Sequence, residues 1–153
     1  MRMAFLFMTA FSLIASFPGA TRQTTLAFER LTIETAKGQQ VFSIEVVREE
    51  KDRNRGLMFR REMAKNQGML FDYDPPQEIG FWMKNTYIPL DIIFIGVDGR
   101  IIRIEENAVP LSLKHIPSGG LARGVFEING GLSAKLGIRA GDLVRHKLFQ
   151  TAD

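Results

Sequence analysis

A chain of 153 residues, 45% hydrophobic and 24% charged, is long enough for one domain with a real core and too apolar to be a disordered tail. Its net charge of +3 comes from acids and bases interspersed along the chain, without the clustered basic stripe of a nucleic-acid surface, so nucleic acid is not an expected partner. The absence of cysteine excludes disulfides, thiolate metal sites, cysteine nucleophiles and a lipidated N-terminal cysteine, yet leaves export open, because a domain with a sufficient core needs no staples.

The first residues have the pattern of a secretory signal. Arg2 supplies the positive start. Met3 to Phe17 is then apolar except for Thr9, Ser12 and Ser16, and the small residues Gly19 and Ala20 come next. The run is shorter than the roughly 20 apolar residues of a transmembrane helix. A signal peptide over residues 1–20 is expected, with a retained anchor as the less favoured reading. The cleavage motif is imperfect, since a cut after Ala20 leaves Pro18 three positions before it. Residues 21–153 read as a single domain, periplasmic or secreted, with no stable membrane span after cleavage.

Leu26–Thr35 and Val41–Val47 alternate apolar and polar residues around the turn Ala36-Lys37-Gly38, a hairpin pattern. Arg48–Met58 carries good helix formers with Glu49 four residues before Arg53, and Gly56 ends that helix. Gly68–Phe71 is a short strand, Asp72–Pro76 a loop because of its two prolines, and Gly80–Thr86 a further strand. Leu90–Val97 and Arg100–Glu105 flank Asp98-Gly99, a strong hairpin signal. Val109–Gly120 is read as a long loop, Arg123–Ile128 as a strand, and Gly131–Leu136 as a short helix. Asn129 would be the N-cap of that helix, and Gly137-Ile138 its C-terminal cap. Leu143–Phe149 closes the chain as a strand. The expected fold is α+β but mostly β: a small, closed or partly closed β-barrel-like domain with two short helices.

The densest polar chemistry falls in Phe81–Asp91, which holds the single tryptophan, Trp82, with Lys84, Asn85, Thr86 and Asp91. Asp91 shares a strand face with Ile93 and Ile95. It is either a buried acid paired with Lys84 or Arg53 in a pocket, or a turn acid accepting backbone N–H groups around Pro89. Strand alternation puts Lys84 and Thr86 on one side with Trp82, and Asn85 on the other, where it would stabilise a turn. Arg53 reads either as a fork for a carboxylate or an anionic ligand, or as a surface partner of Glu49, the latter favoured by spacing. Glu127, on the side of Val125, reads as an outward-facing edge residue. Trp82, Met58, Met69 and Met83 read as core more readily than as a binding surface. His115 and His146 are isolated, and neither a metal-binding spacing nor a phosphate loop, nucleophile elbow or zinc-protease motif occurs, so no metal or cofactor is expected.

Arg53-Asn54-Arg55-Gly56-Leu57-Met58-Phe59-Arg60, Gly68-Met69-Leu70-Phe71, Phe81-Trp82-Met83-Lys84-Asn85-Thr86 with Pro89-Leu90-Asp91, and Val125–Gly131 with Gly137-Ile138 and Gly141-Asp142 together resemble the family called domain of unknown function 192. The resemblance spans roughly residues 25 to 149. It implies a small β-rich, barrel-like domain, often exported or anchored in bacteria, with no assigned reaction or cofactor. It also implies that Arg53, Lys84, Asn85, Thr86, Asp91 and Glu127 meet in one cleft, with the 109–120 loop as a wall; the binding reading adds Trp82 as an apolar one. The leading functional expectation is a mixed-charge cleft for a small or extended polar ligand. The alternatives are an envelope hydrolase using Asp91 and Glu127 as acid and base, and an accessory module that docks an envelope protein through residues 106–121 and a methionine-rich surface.

Overall fold

The computed structural model describes residues 28–151; the signal-like segment 1–20 lies outside them. The first hairpin forms as its alternation requires. Strand β1 (Glu29–Thr35) pairs antiparallel with β2 (Gly38–Val47), Thr35 opposite Gly38 across a two-residue turn. Leu31, Ile33, Phe42 and Ile44 all bury their side chains on one face.

Helix α1 (Glu50–Arg55) is six residues long and buries none of them. Its role is connection. Strand β3 (Gln67–Phe81) runs parallel to β2, and a parallel pair requires a crossover. Gly56 ends the helix at φ +47, donating its N–H to Asp52 O, and a Cβ there would lie 3.1 Å from the Phe71 ring. The residue therefore has to be glycine for backbone shape and for space together.

Strands β4 (Leu90–Ile95) and β5 (Ile101–Ala108) form the second hairpin. Strand β6 (Ile116–Asn129) lies between β3 and β4, antiparallel to both. Helix α2 (Leu132–Leu136) and β7 (Leu143–Arg145) come next, and a 3-10 turn spans Lys147–Phe149. Among the described residues, seven strands make one sheet in the order β5-β4-β6-β3-β2-β1-β7. It curls until its ends nearly meet. Arg100, at the mouth of β5, bridges Leu143 of β7, and Ile101 N and Val144 N donate to Asp142 O and Gly99 O at 3.0 and 2.8 Å. The result is the mostly β, partly closed barrel with two short helices that the strand pattern leads one to expect.

One apolar cluster fills the inside of the curl, where Phe42 and Phe126 meet edge to face at 5.2 Å. A second covers the opposite face of β3, β6 and β4, around Met69, Phe71, Ile92, Phe94 and Val125, beneath Leu57 and Met83 from the connections. With both faces covered, β4 is buried at every residue, and this explains its unbroken apolar sequence.

Four local expectations are corrected. Asp72–Pro76 is not a loop between two strands. It lies within β3, where the β6 register shifts between Asp72 and Gln77, so the prolines (Asp74–Pro75 being cis) occupy an irregularity that needs no ladder bonds. That same strand stops at Phe81, leaving residues 82–89 as a loop instead of a strand to Thr86. The long loop after β5 is shorter than expected, because β6 begins at Ile116. Ser118 there accepts from Ile79 N and donates to Gly120 O, which holds a Pro- and Gly-rich stretch in the sheet. The last strand covers only Leu143–Arg145.

Candidate functional site

Glu127 has the most unusual surroundings of any side chain on β6. It faces Met69 of β3 and Ile92 of β4 across the central ladders, on the side covered by the second apolar layer. It is 5% exposed, and its Oε2 has no hydrogen-bond partner. Burial pushes its carboxyl up to about 8, against the opposing pull of the Arg60 guanidinium. Arg60 is itself held by Glu45, whose Oε2 accepts from Nη2 at 2.7 Å. The expectation of an outward-facing edge glutamate is thus overturned, because β6 is a central strand with connections folded over it. Alternation identifies the correct side, the one shared with Val125. What lies on that side is decided by chain segments remote in sequence.

Above Glu127 the connections leave a cleft of about 170 Å³. Its walls come from the end of α1 (Arg53, Arg55), from the Leu57-Met58 segment, from β3 (Phe71, Tyr73, Phe81), and from Trp82 and Thr86. Arg53 spans from helix to sheet. Its Nη1 donates to the carbonyls of Arg48 and, at 3.1 Å, of Asp72, and its guanidinium lies 5.1 Å from the centre of the Tyr73 ring. It is an arginine fixed by main-chain carbonyls, neither a partner of Asp91 nor a surface pair with Glu49. Tyr73 keeps its proton, as burial pushes its hydroxyl up to about 12.

Trp82 is 50% exposed on the cleft wall, so the reading of it as core is corrected; Met69 and Met83 are core, and Met58 is half-buried. The tryptophan follows the last residue of β3, and its ring carries the Lys84 ammonium 5.1 Å from its centre. Thr86 is buried, its hydroxyl donating to Lys84 O at 3.3 Å. Asn85 adopts φ +55 at the tip of the loop, and its carbonyl accepts from Phe59 N at 2.9 Å. It stabilises a turn and does not line the cleft.

Asp91 lies elsewhere. It is opposite Ile128 on β6 while Glu127 is opposite Ile92, so the two carboxyls point to opposite faces of the sheet. Asp91 Oδ1 accepts from Asn107 N and Gly131 N, both at 2.8 Å, and Oδ2 from Ser133 N at 2.7 Å. It caps α2 from a neighbouring strand. Asn129, the expected N-cap, instead donates to Met63 O and Ala64 O of the crossover, and Gly131 occupies the cap position with no side-chain bond of its own. The expected Asp91–Glu127 acid–base pair therefore shares no cleft. Arg53, Trp82, Thr86 and Glu127 line the cleft, Lys84 stands over Trp82, and Asn85 and Asp91 hold the frame.

Sequence reasoning missed Tyr73 and Phe81 as walls. The available signal was parity: Phe71 and Tyr73 fall on the same side once Asp72–Pro76 is read as a bulged strand. Among the described residues, no group of three or more metal-ligating side chains occurs, and no helix is long and apolar enough to cross a membrane.

The model of an uncharacterised family, described as Uncharacterized ACR and designated domain of unknown function 192, matches residues 32–146. The chain belongs to the domain of unknown function 192 family. Two solved structures share its fold at high identity. One is a protein of unknown function from Novosphingobium aromaticivorans DSM 12444, 42% identical, with a TM-score of 0.79 over 86% of this chain and 94% of that one. The other, from Sinorhizobium meliloti 1021, is described as a "putative transcription regulator"; it is 41% identical, with a TM-score of 0.78 over 80% of this chain and 96% of its own. No curated protein matches the chain. The family match covers every cleft residue named above, from Arg53 to Glu127.

Proposed function

We propose that this member of the domain of unknown function 192 family is an exported binding module, whose cleft takes a small polar ligand between Trp82 and the Arg53 end of α1. The observation that carries the reading is Glu127. Buried carboxyl oxygens are nearly always hydrogen-bonded; Glu127 is among the residues lining the cleft and its Oε2 has no partner, so its carboxyl has hydrogen-bonding capacity that no protein group uses. A carboxyl, an arginine and half-exposed aromatics around one concavity match the general make-up of small-molecule sites. Export is supported by the apolar segment that succeeds Arg2.

Thermal unfolding against a panel of sugars, organic acids, amines and inorganic anions tests it. A ligand at a hundred times its dissociation constant is expected to add about 2.7 kcal/mol of stability. Trp82→Ala, on a half-exposed wall, is expected to melt close to the parent and to lose the shift. A panel that leaves the melting temperature unchanged throughout would remove the binding reading.

A specific surface favours a second reading, docking of an envelope protein. Val109, Leu111 and Leu113 are 68%, 57% and 68% exposed on one loop. That loop is fastened to the cleft wall by Met83 N donating to Ser112 O and Leu111 N to Thr86 O. Exposed leucines on an anchored loop fit contact with another protein. Crosslinking from a photoreactive residue at position 113 in cells is expected to trap one defined envelope partner. Replacing Val109 and Leu111 by serine in that probe should abolish the adduct, and an adduct unchanged by those replacements would exclude the loop as the contact.

A further inference from the structure

The cleft has a sign. Of the residues that line it, Arg53 and Arg55 are cationic, and Glu127 is the single acid. Lys84 adds a charge over Trp82, and Arg60, held by Glu45 of β2, acts electrostatically on Glu127. Tyr73 of β3, the remaining titratable wall, is neutral, and β4 presents the apolar Ile92. Glu127 itself lies between Met69 and Ile92 with no N–H directed at Oε2. A carboxylate needs such donors to tolerate burial. Lacking them, the group keeps its proton, and a protonated carboxyl is a hydrogen-bond donor.

Resting on the binding reading above, we infer that the cleft selects ligands bearing a carbonyl or carboxylate oxygen, which accepts a hydrogen bond from the Glu127 carboxyl while a flat apolar body lies against Phe81 and Trp82. Arg53 and Arg55 at the cleft favour ligand oxygens with negative charge. A ligand cation meets two guanidinium groups and must also displace the Glu127 proton. Glu127 is then a recognition donor, opposite in sense to the carboxylate acceptor that its residue type suggests.

Trp82 is the only tryptophan in the chain, so intrinsic fluorescence reports directly from the cleft wall. The protein is titrated with phenylacetate and, separately, with benzylamine, from pH 6 to pH 9. Saturable quenching by phenylacetate is expected, with affinity nearly constant up to pH 7 and roughly tenfold weaker at pH 9, as the protonated, competent fraction declines. Glu127→Gln keeps a donor and never ionises, so its phenylacetate affinity is expected to survive and to be independent of pH. Glu127→Leu should weaken binding by at least tenfold at pH 6; where that variant does not fold, the flat profile of Glu127→Gln decides alone. Preferential binding of benzylamine, tightening with pH and lost in Glu127→Gln, would overturn the inference while leaving the binding module intact. Quenching by neither probe also overturns it, and the separate ligand panel then decides whether the cleft binds at all.

Discussion

Asp91→Ala is expected to cost about 3–5 kcal/mol of stability, enough to leave a marginal domain largely unfolded at 37 °C. The carboxylate is 0% exposed and accepts from the main-chain N–H groups of Asn107, Gly131 and Ser133. Alanine removes all three bonds to a charged group, each worth about 1.5–3 kcal/mol, and leaves the buried Ser133 N–H and the part-buried Asn107 and Gly131 N–H groups without that partner; an unpaired buried donor costs roughly 1–3 kcal/mol. Asp91→Asn preserves volume and one acceptor oxygen but turns an NH₂ toward an N–H, so about half the loss is expected. Urea unfolding checks both, read as a fall in midpoint at constant slope. A loss below about 1 kcal/mol in the alanine variant would show that the three bonds are not what holds α2 to the sheet. The folded fraction of Asp91→Asn should bind cleft ligands as the parent does, because Asp91 lies on the opposite face from Glu127.

Glu127 is expected to make the protein lose stability as pH rises through neutrality, the reverse of the usual effect of an ion-paired carboxylate. The unfolded chain ionises this group near its ordinary value of 4.5, and the folded chain near 8, because burial penalises the anion more than Arg60 favours it. Between those values unfolding releases a proton, so each increase in pH favours the unfolded state. The contribution is full below pH 4.5, declines through the window up to about pH 8, and is then constant. The decline amounts to roughly 4–5 kcal/mol. Glu127→Gln cannot ionise. Its stability relative to the parent should therefore rise from pH 5 to about pH 8 and then level off, whatever constant offset the amide introduces. Denaturant unfolding of both proteins across that range gives the difference directly. Parallel pH profiles would mean that the Glu127 carboxyl ionises normally in the folded protein.

The two carboxyls show why the barrel is easier to infer than the cleft. Asp91 and Glu127 invite pairing as acid and base because both are acidic residues in strongly apolar strands. Period-two alternation correctly places Asp91 with Ile93 and Glu127 with Val125, but parity within a strand does not state how two strands are aligned. The β4–β6 register, with Asp91 opposite Ile128, sets them back to back. Trp82 fails as core for a related reason. Alternation assumes that the strand continues, and β3 ends at Phe81, one residue before it.

Local physics is enough for the elements and their class. The two hairpins, the Gly56 stop and the Gly137-Ile138 cap all arise from turn chemistry, backbone freedom and alternation acting over a few residues, and the family resemblance rests on the same segments. Only tertiary structure decides which strands are central and what covers them. The parallel β2–β3 pair, the place of β6 between β3 and β4, and the connections folded over that face are contacts between segments far apart in the chain. Those contacts bury Glu127 without a donor, commit Asp91 to three backbone N–H groups, and leave Trp82 at the mouth of a cleft. A side chain's charge state and partners depend on its whole surroundings, and a strand's sequence specifies only one side from the other.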